Sequence, residues 1–152
     1  MQKGIYLIVI ILFSFCSCSN IRNKTIKERT VPEAILKIEM TLSAFGVESD
    51  SFPSIDAVID FVNDSSHCEK SFYNPAIKGS VYSLNKSEIK SILKLLNISE
   101  LEKLKSKYTD QKTDQPTSTL AIYTTKRKFK IEDYGLNGDY PLQELYKRVY
   151  RF

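Results

Sequence analysis

Two stretches of strict alternation set the terms on which this chain can fold. Leu36, Ile38, Met40 and Leu42 alternate with Lys37, Glu39 and Thr41. Ile55, Ala57, Ile59 and Phe61 alternate with Asp56, Val58, Asp60 and Val62. A period of two puts every second side chain on the same side of an extended backbone, so both stretches predict half-buried strands. A sheet with one apolar face needs a cover, and the sequence offers one. Asn85-Lys-Ser-Glu88 reads as a variant capping box, and Ile89, Ile92, Leu93 and Leu96 follow it on one helical face.

The rest of the chain fits the same plan. Residues 63–80 are loop-like, rich in Asn, Asp and Ser with Asn74-Pro75 and Gly79; Ser71–Tyr73 or Ser80–Leu84 adds a short third strand. Ser99-Glu-Leu-Glu102 repeats the cap signal for a shorter helix reaching about Lys107. Tyr108 to Pro116 is a polar loop. Thr117–Thr125 and Lys128–Tyr134 read as strands joined at Lys126-Arg127, and Gly135-Leu-Asn-Gly138 breaks the second. Pro141 suits the first turn of a last helix, whose Leu142, Leu145 and Val149 share a face. Strands followed by helices predict an α+β fold: a mostly antiparallel sheet of four to five strands with about three helices packed on one face. The roughly 120 residues involved can bury a core without disulfides.

The N-terminus gives an address. Lys3 precedes an apolar stretch from Ile5 to Phe15, well short of the roughly 20 residues of a membrane span. Ser14, Cys16, Ser17 and Cys18 follow. This resembles the signal of a bacterial lipoprotein, in which a Cys after a small residue is lipidated and becomes the new N-terminus. Cys18, after Ser17, fits better than Cys16, after Phe15. Phe15 stands where the family usually has Leu, a departure that resembles the looser signals of Bacteroidota. The alternatives are an ordinary cleaved signal and a short signal anchor. The expected organisation is a signal peptide over 1–17, a lipidated Cys18 with a basic tether over 18–31, and one domain over 32–152.

The charge sits in that tether. Arg22, Lys24, Lys27 and Arg29 stand against Glu28, while residues 32–152 carry 17 acids and 17 bases. The domain is neutral, so the basic pI is no argument for nucleic acid, and none is expected as a partner. The tether reads as a charged spacer, with contact to anionic headgroups as the alternative. The absence of an acidic run after Cys18 resembles the sorting pattern of the outer membrane, facing the periplasm.

From Phe52 onward further stretches carry a second resemblance. These are F-P-S-I-D-A-V-I-D, K-G-S-V-Y-S-L-N-K-S-E-I, Y-T-D-Q-K-T-D-Q-P, K-I-E-D-Y-G and Y-P-L-Q-E-L. Together they resemble the bacterial family catalogued as domain of unknown function 6438, over residues 52–150. Members often carry C-x-x-C-P before the second strand; here Phe52 precedes Pro53, so any role of that Cys pair is absent. The resemblance implies a fold and export, and transfers no active site.

Candidate chemistry is sparse. His67-Cys68 places a thiol beside the single His, but neighbours on a strand point apart, and Cys68 reads chiefly as a buried thiol. No metal-ligand spacing appears in the processed chain, and no metal or cofactor is expected. Asp110 and Asp114 lack the ladder of a cation loop and read as turn-capping groups. Asp56 and Asp60, four residues apart on a strand, would stand about 13 Å apart. Paired carboxylates in glycoside hydrolysis stand about 5 to 9.5 Å apart. The C-terminal third interleaves Tyr123, Tyr134, Tyr140, Tyr146 and Tyr150 with Lys and Arg, which can serve stacking on a glycan or a protein but reads chiefly as an amphipathic hairpin and helix. Four N-x-S/T triplets begin at Asn23, Asn63, Asn85 and Asn97, of which two double as helix caps.

These observations lead to an expectation of a non-enzymatic envelope lipoprotein with an envelope protein or glycan as partner. The alternatives are an inhibitor or accessory subunit of an envelope enzyme, and a hydrolase using loop carboxylates. The lipidation site is Cys18; Asp110, Asp114, Asp133 and Tyr134 are the candidate surface and loop residues, and no catalytic residue is assigned.

Overall fold

The computed structural model describes residues 32–151. The signal segment, Cys18 and the tether lie outside the described residues. Seven strands run through the domain: β1 (Ile35–Ser43), β2 (Pro53–Asp60), β3 (Ser65–Phe72), β4 (Ser80–Tyr82), β5 (Lys107–Tyr108), β6 (Thr117–Thr124) and β7 (Lys128–Tyr134). Three helices accompany them: α1 (Lys86–Leu95), α2 (Ile98–Leu101) and α3 (Leu142–Tyr150).

All seven strands form one sheet in the order β4-β3-β2-β1-β6-β7-β5. Five neighbouring pairs are antiparallel, and β5 runs parallel to β7. This corrects the expectation of an α+β fold built on a mostly antiparallel sheet of four to five strands with about three helices packed on one face. The sheet is mixed, has seven strands and dominates the domain, and the helices are few and short.

The physical reasons are local. β3 reads S-S-H-C-E-K-S-F and buries only Cys68, so it has no apolar alternation to reveal it. β4 and β5 are three and two residues long, too short for any period. The chain leaves the β4 edge, passes through α1 and α2, and enters the opposite edge as β5, which runs parallel to β7.

One face of the sheet makes the core. Ile38, Met40 and Leu42 of β1 face Ile59, Ala57 and Ile55 of β2 on one side and Ile122, Leu120 and Ser118 of β6 on the other. Ile89 and Ile92 of α1, Leu101 of α2, and Leu142, Leu145 and Val149 of α3 join the same buried cluster. At about 1.5–3 kcal/mol per buried large side chain, this layer is the main source of stability.

Side chains set the ends of the elements. Asn85 accepts from the N–H groups of Ser87 and Glu88, and Glu88 returns a bond to the Asn85 N–H at 2.6 Å, which completes the capping box. The cap of α2 is Asn97, accepting from Ser99 N–H, two residues ahead of the repeated Ser-Glu signal. Thr124 closes the β6–β7 hairpin by accepting from the N–H groups of Lys126 and Arg127. α3 is tied down by Arg151 on Glu88 (2.8 Å), Arg148 on Ser91 (3.0 Å) and the Tyr82 hydroxyl on the Val149 carbonyl (2.6 Å).

Candidate functional site

The end of β7 gathers three of the four residues singled out in the sequence. Alternation along β7 turns Ile131 and Asp133 toward the core, and Asp133 has no exposed surface. A buried carboxylate persists where its lone pairs are taken up. Asp133 Oδ1 accepts from the Asn137 N–H (3.0 Å), and Oδ2 accepts from the Gly138 N–H (2.8 Å) and the Tyr146 hydroxyl (2.9 Å). Gly138 leaves the room this needs: a Cβ there would stand 2.7 Å from Asp133 Oδ2 and 2.5 Å from Leu142 Cδ1.

Asn137 also donates its side-chain amide to Asp110 Oδ2 at 2.7 Å, while Asp110 Oδ1 accepts from the Lys112 N–H. The Lys112 N–H and then the Asn137 amide hold the Asp110 carboxyl below its ordinary range. Tyr134, the next residue of β7, accepts from the Gln115 N–H at 3.2 Å. Asp114 stays apart, exposed on the loop at a φ of 60°, and accepts from its neighbour Thr113.

This arrangement is a tie between loops. The 108–116 loop is held to the turn after β7 through Asp110 and Asn137, and that turn is held to α3 through Asp133 and Tyr146. A general base needs a proton of the substrate within about 3 Å, and Asp133 offers neither an exposed surface nor an unoccupied oxygen. The Tyr146 and Tyr150 rings stack with centroids 5.7 Å apart, and the Tyr150 hydroxyl shares a hydrogen bond with Ser118 Oγ at 2.7 Å. Burial pushes both phenols far above their ordinary value. The C-terminal tyrosines therefore do not form one stacking surface: two are in the core, and Tyr123 lies on the opposite face of the sheet.

Sequence reasoning named Gly138 and Tyr146 but missed that they and Asn137 are the partners of Asp133. The Asn-Gly pair was legible as a strand break, and Tyr146 lies at helical spacing from Leu142, which is the signal for its burial.

The opposite face of the sheet carries no covering layer among the described residues. Register lines up its side chains in rows. His67, Val58, Glu39, Ala121 and Lys130 make one; Glu69, Asp56, Thr41, Thr119 and Glu132 make the next. All are exposed or half-buried. A cleft of about 420 Å³ crosses β1, β6 and β7 there, floored by Thr41, Thr119 and Ala121 and flanked by Glu39, Lys130 and Glu132. At its border the ammonium groups of Lys37 and Lys128 lie 4.4 and 4.2 Å from the centre of the Tyr123 ring, and the Tyr123 hydroxyl donates to Glu39. The Lys37 ammonium and then that hydroxyl hold the Glu39 carboxyl below its ordinary range. Asp56 accepts from Thr41 on this face at 2.8 Å, and Asp60 accepts from the turn N–H groups of Val62 and Asn63. His67 is exposed here, whereas Cys68 points into the core, where burial pushes its thiol up.

Among the described residues, no group of three or more His, Cys, Asp or Glu is placed to hold a metal ion, and no helix is long and apolar enough to cross a membrane. The model of the family described as Domain of unknown function (DUF6438) matches residues 53–152, and the chain belongs to that family. No curated protein and no solved structure matches the chain.

Proposed function

We propose that this DUF6438 protein is a non-enzymatic binding module of the cell envelope, anchored through lipid on Cys18, which meets its partner with the uncovered face of its sheet. The observation that carries the binding reading is that face. Five long strands present a mixed-charge surface with a cleft of about 420 Å³ and an ordered border of Lys37, Tyr123 and Lys128. Sites of this kind are concave surfaces with a few placed polar groups on a rigid scaffold. Asp110 and Asp133 support a different role, as ties that hold the scaffold rigid.

The address rests on the sequence of residues 1–31. Lipidation puts the domain at a membrane, and at about 0.8 kcal/mol per buried CH₂ a stable hold takes more than one acyl chain. The basic tether then spaces the domain from the bilayer, on the periplasmic side of the outer membrane.

A crosslinking pull-down from native envelopes tests this reading, comparing the intact protein with Cys18→Ala. The expected result is a specific partner captured by the anchored form and lost with the variant. Equal capture by both forms would contradict the role of the anchor. Turnover of an envelope substrate by the purified protein would contradict the non-enzymatic reading.

A further inference from the structure

At the end of the same uncovered face, a larger cleft of about 820 Å³ opens between the β1–β2 turn and the end of β3. Two aromatic side chains flank it, Phe45 on the turn and Tyr73 just after β3. Both are almost fully in water, at 92% and 89% exposure. A single exposed ring needs no explanation, but two rings bordering one cleft form a surface that something can cover.

The floor and walls say what. Ser43, Ser54 and Ser71 lie side by side across three strands at the base of the cleft. Ser54 Oγ accepts from the Ala44 N–H (3.1 Å) and Ser43 Oγ from the Phe45 N–H (3.2 Å). The backbone thus takes an acceptor site on the Ser43 and Ser54 hydroxyls and leaves their O–H groups to donate. Glu48 and Asp50 line the cleft as acceptors, and among the described residues its lining holds no Lys or Arg. Such a lining disfavours phosphate, nucleic acid and acidic peptides, since nothing offsets their charge against two carboxylates. A hydroxyl floor also disfavours a lipid chain, which would leave polar groups unpaired.

We propose that this cleft binds a neutral saccharide chain, with Phe45 and Tyr73 as stacking platforms and the serines and carboxylates as hydrogen-bond partners for its hydroxyls. A sugar ring has a face of C–H bonds, weakly positive, which complements the negative face of an aromatic ring. Its edge is a ring of hydroxyls, each able to donate and accept. The inference rests on the binding-module reading and names the ligand class of that face.

The test uses the full-length protein and three soluble probes, chitohexaose, cellohexaose and maltohexaose, with inorganic phosphate as the anionic control. Saturation-transfer NMR is expected to show binding of at least one hexasaccharide and none of phosphate. Phe45→Ala and Tyr73→Ala are each expected to weaken that binding about tenfold, the scale of one lost stacking contact. Their melting curves should match the parent, because both rings are exposed. Absence of binding by all three saccharides overturns the assignment, as does unchanged affinity in the Phe45→Ala/Tyr73→Ala double variant. Capture of a protein partner from envelopes without saccharide binding would overturn the saccharide alone and leave the binding module standing.

Discussion

Asp133 shows how much one buried charge can organise. Its two oxygens take three donors from the turn after β7 and from α3. Asp133→Ala would leave the Asn137 and Gly138 N–H groups and the Tyr146 hydroxyl without that partner, the last two in buried positions. The expected loss is about 3–5 kcal/mol, read from urea unfolding. A variant as stable as the parent would contradict the structural role and return Asp133 to the list of functional groups. The tyrosines in the core, and Tyr82 at its edge, give a pH signature. Burial raises Tyr82 to about 12, and Tyr146 and Tyr150 further. A raised folded pKa means that the folded state keeps protons which the unfolded state gives up. The stability it contributes is whole below the unfolded value of about 10 and is lost as pH rises through the folded values. The melting temperature should therefore hold up to about pH 10 and fall from there through about 12 and above. Ionisation of these tyrosines, followed by ultraviolet absorbance, should coincide with unfolding. Tyrosinate appearing in full before unfolding would contradict their burial.

Elements differ in how openly the sequence announces them. β1, β2 and β7 were legible from side chains sharing a face, with Ile38, Met40 and Leu42 the clearest case, and β6 from its Thr, Ile and Tyr content. α1 was legible from its cap and its apolar face. Asn85→Ala should remove the Asn85 half of the capping box and cost about 1 kcal/mol in urea unfolding. No change would mean that tertiary packing alone holds the start of α1. β3 was not legible, since an outlying strand with one solvent-facing side and Cys68 as its only buried residue has a polar sequence. β4 and β5 take their conformation from the neighbours they pair with, through β3 and β7, and not from their own residues. The candidate site divides the same way. Asp110, Asp133 and Tyr134 were singled out by residue type, but their partners depend on a turn that brings residues 27 apart, Asp110 and Asn137, into contact. No local pattern encodes that meeting.

At the scale of the whole molecule, the sheet is asymmetric. One face carries the core and the helices; the other is a polar surface of aligned rows. β1 joins the two halves, lying between β2 and β6, although it precedes the residues 53–152 that define the family match. Its inward side chains Ile38, Met40 and Leu42 are buried, while its outward Glu39 and Thr41 line the cleft on the uncovered face. A strand with both duties couples the stability of the domain to the shape of its proposed binding surface.

The most direct measurement of that account is site-specific photo-crosslinking in intact cells. A photoreactive residue replaces Thr119, at the middle of the uncovered face, or Lys90, exposed on α1. The account predicts a discrete crosslinked product from position 119 and none from position 90. A product from position 90 alone would place the partner on the helical side and contradict the assignment of the open sheet face.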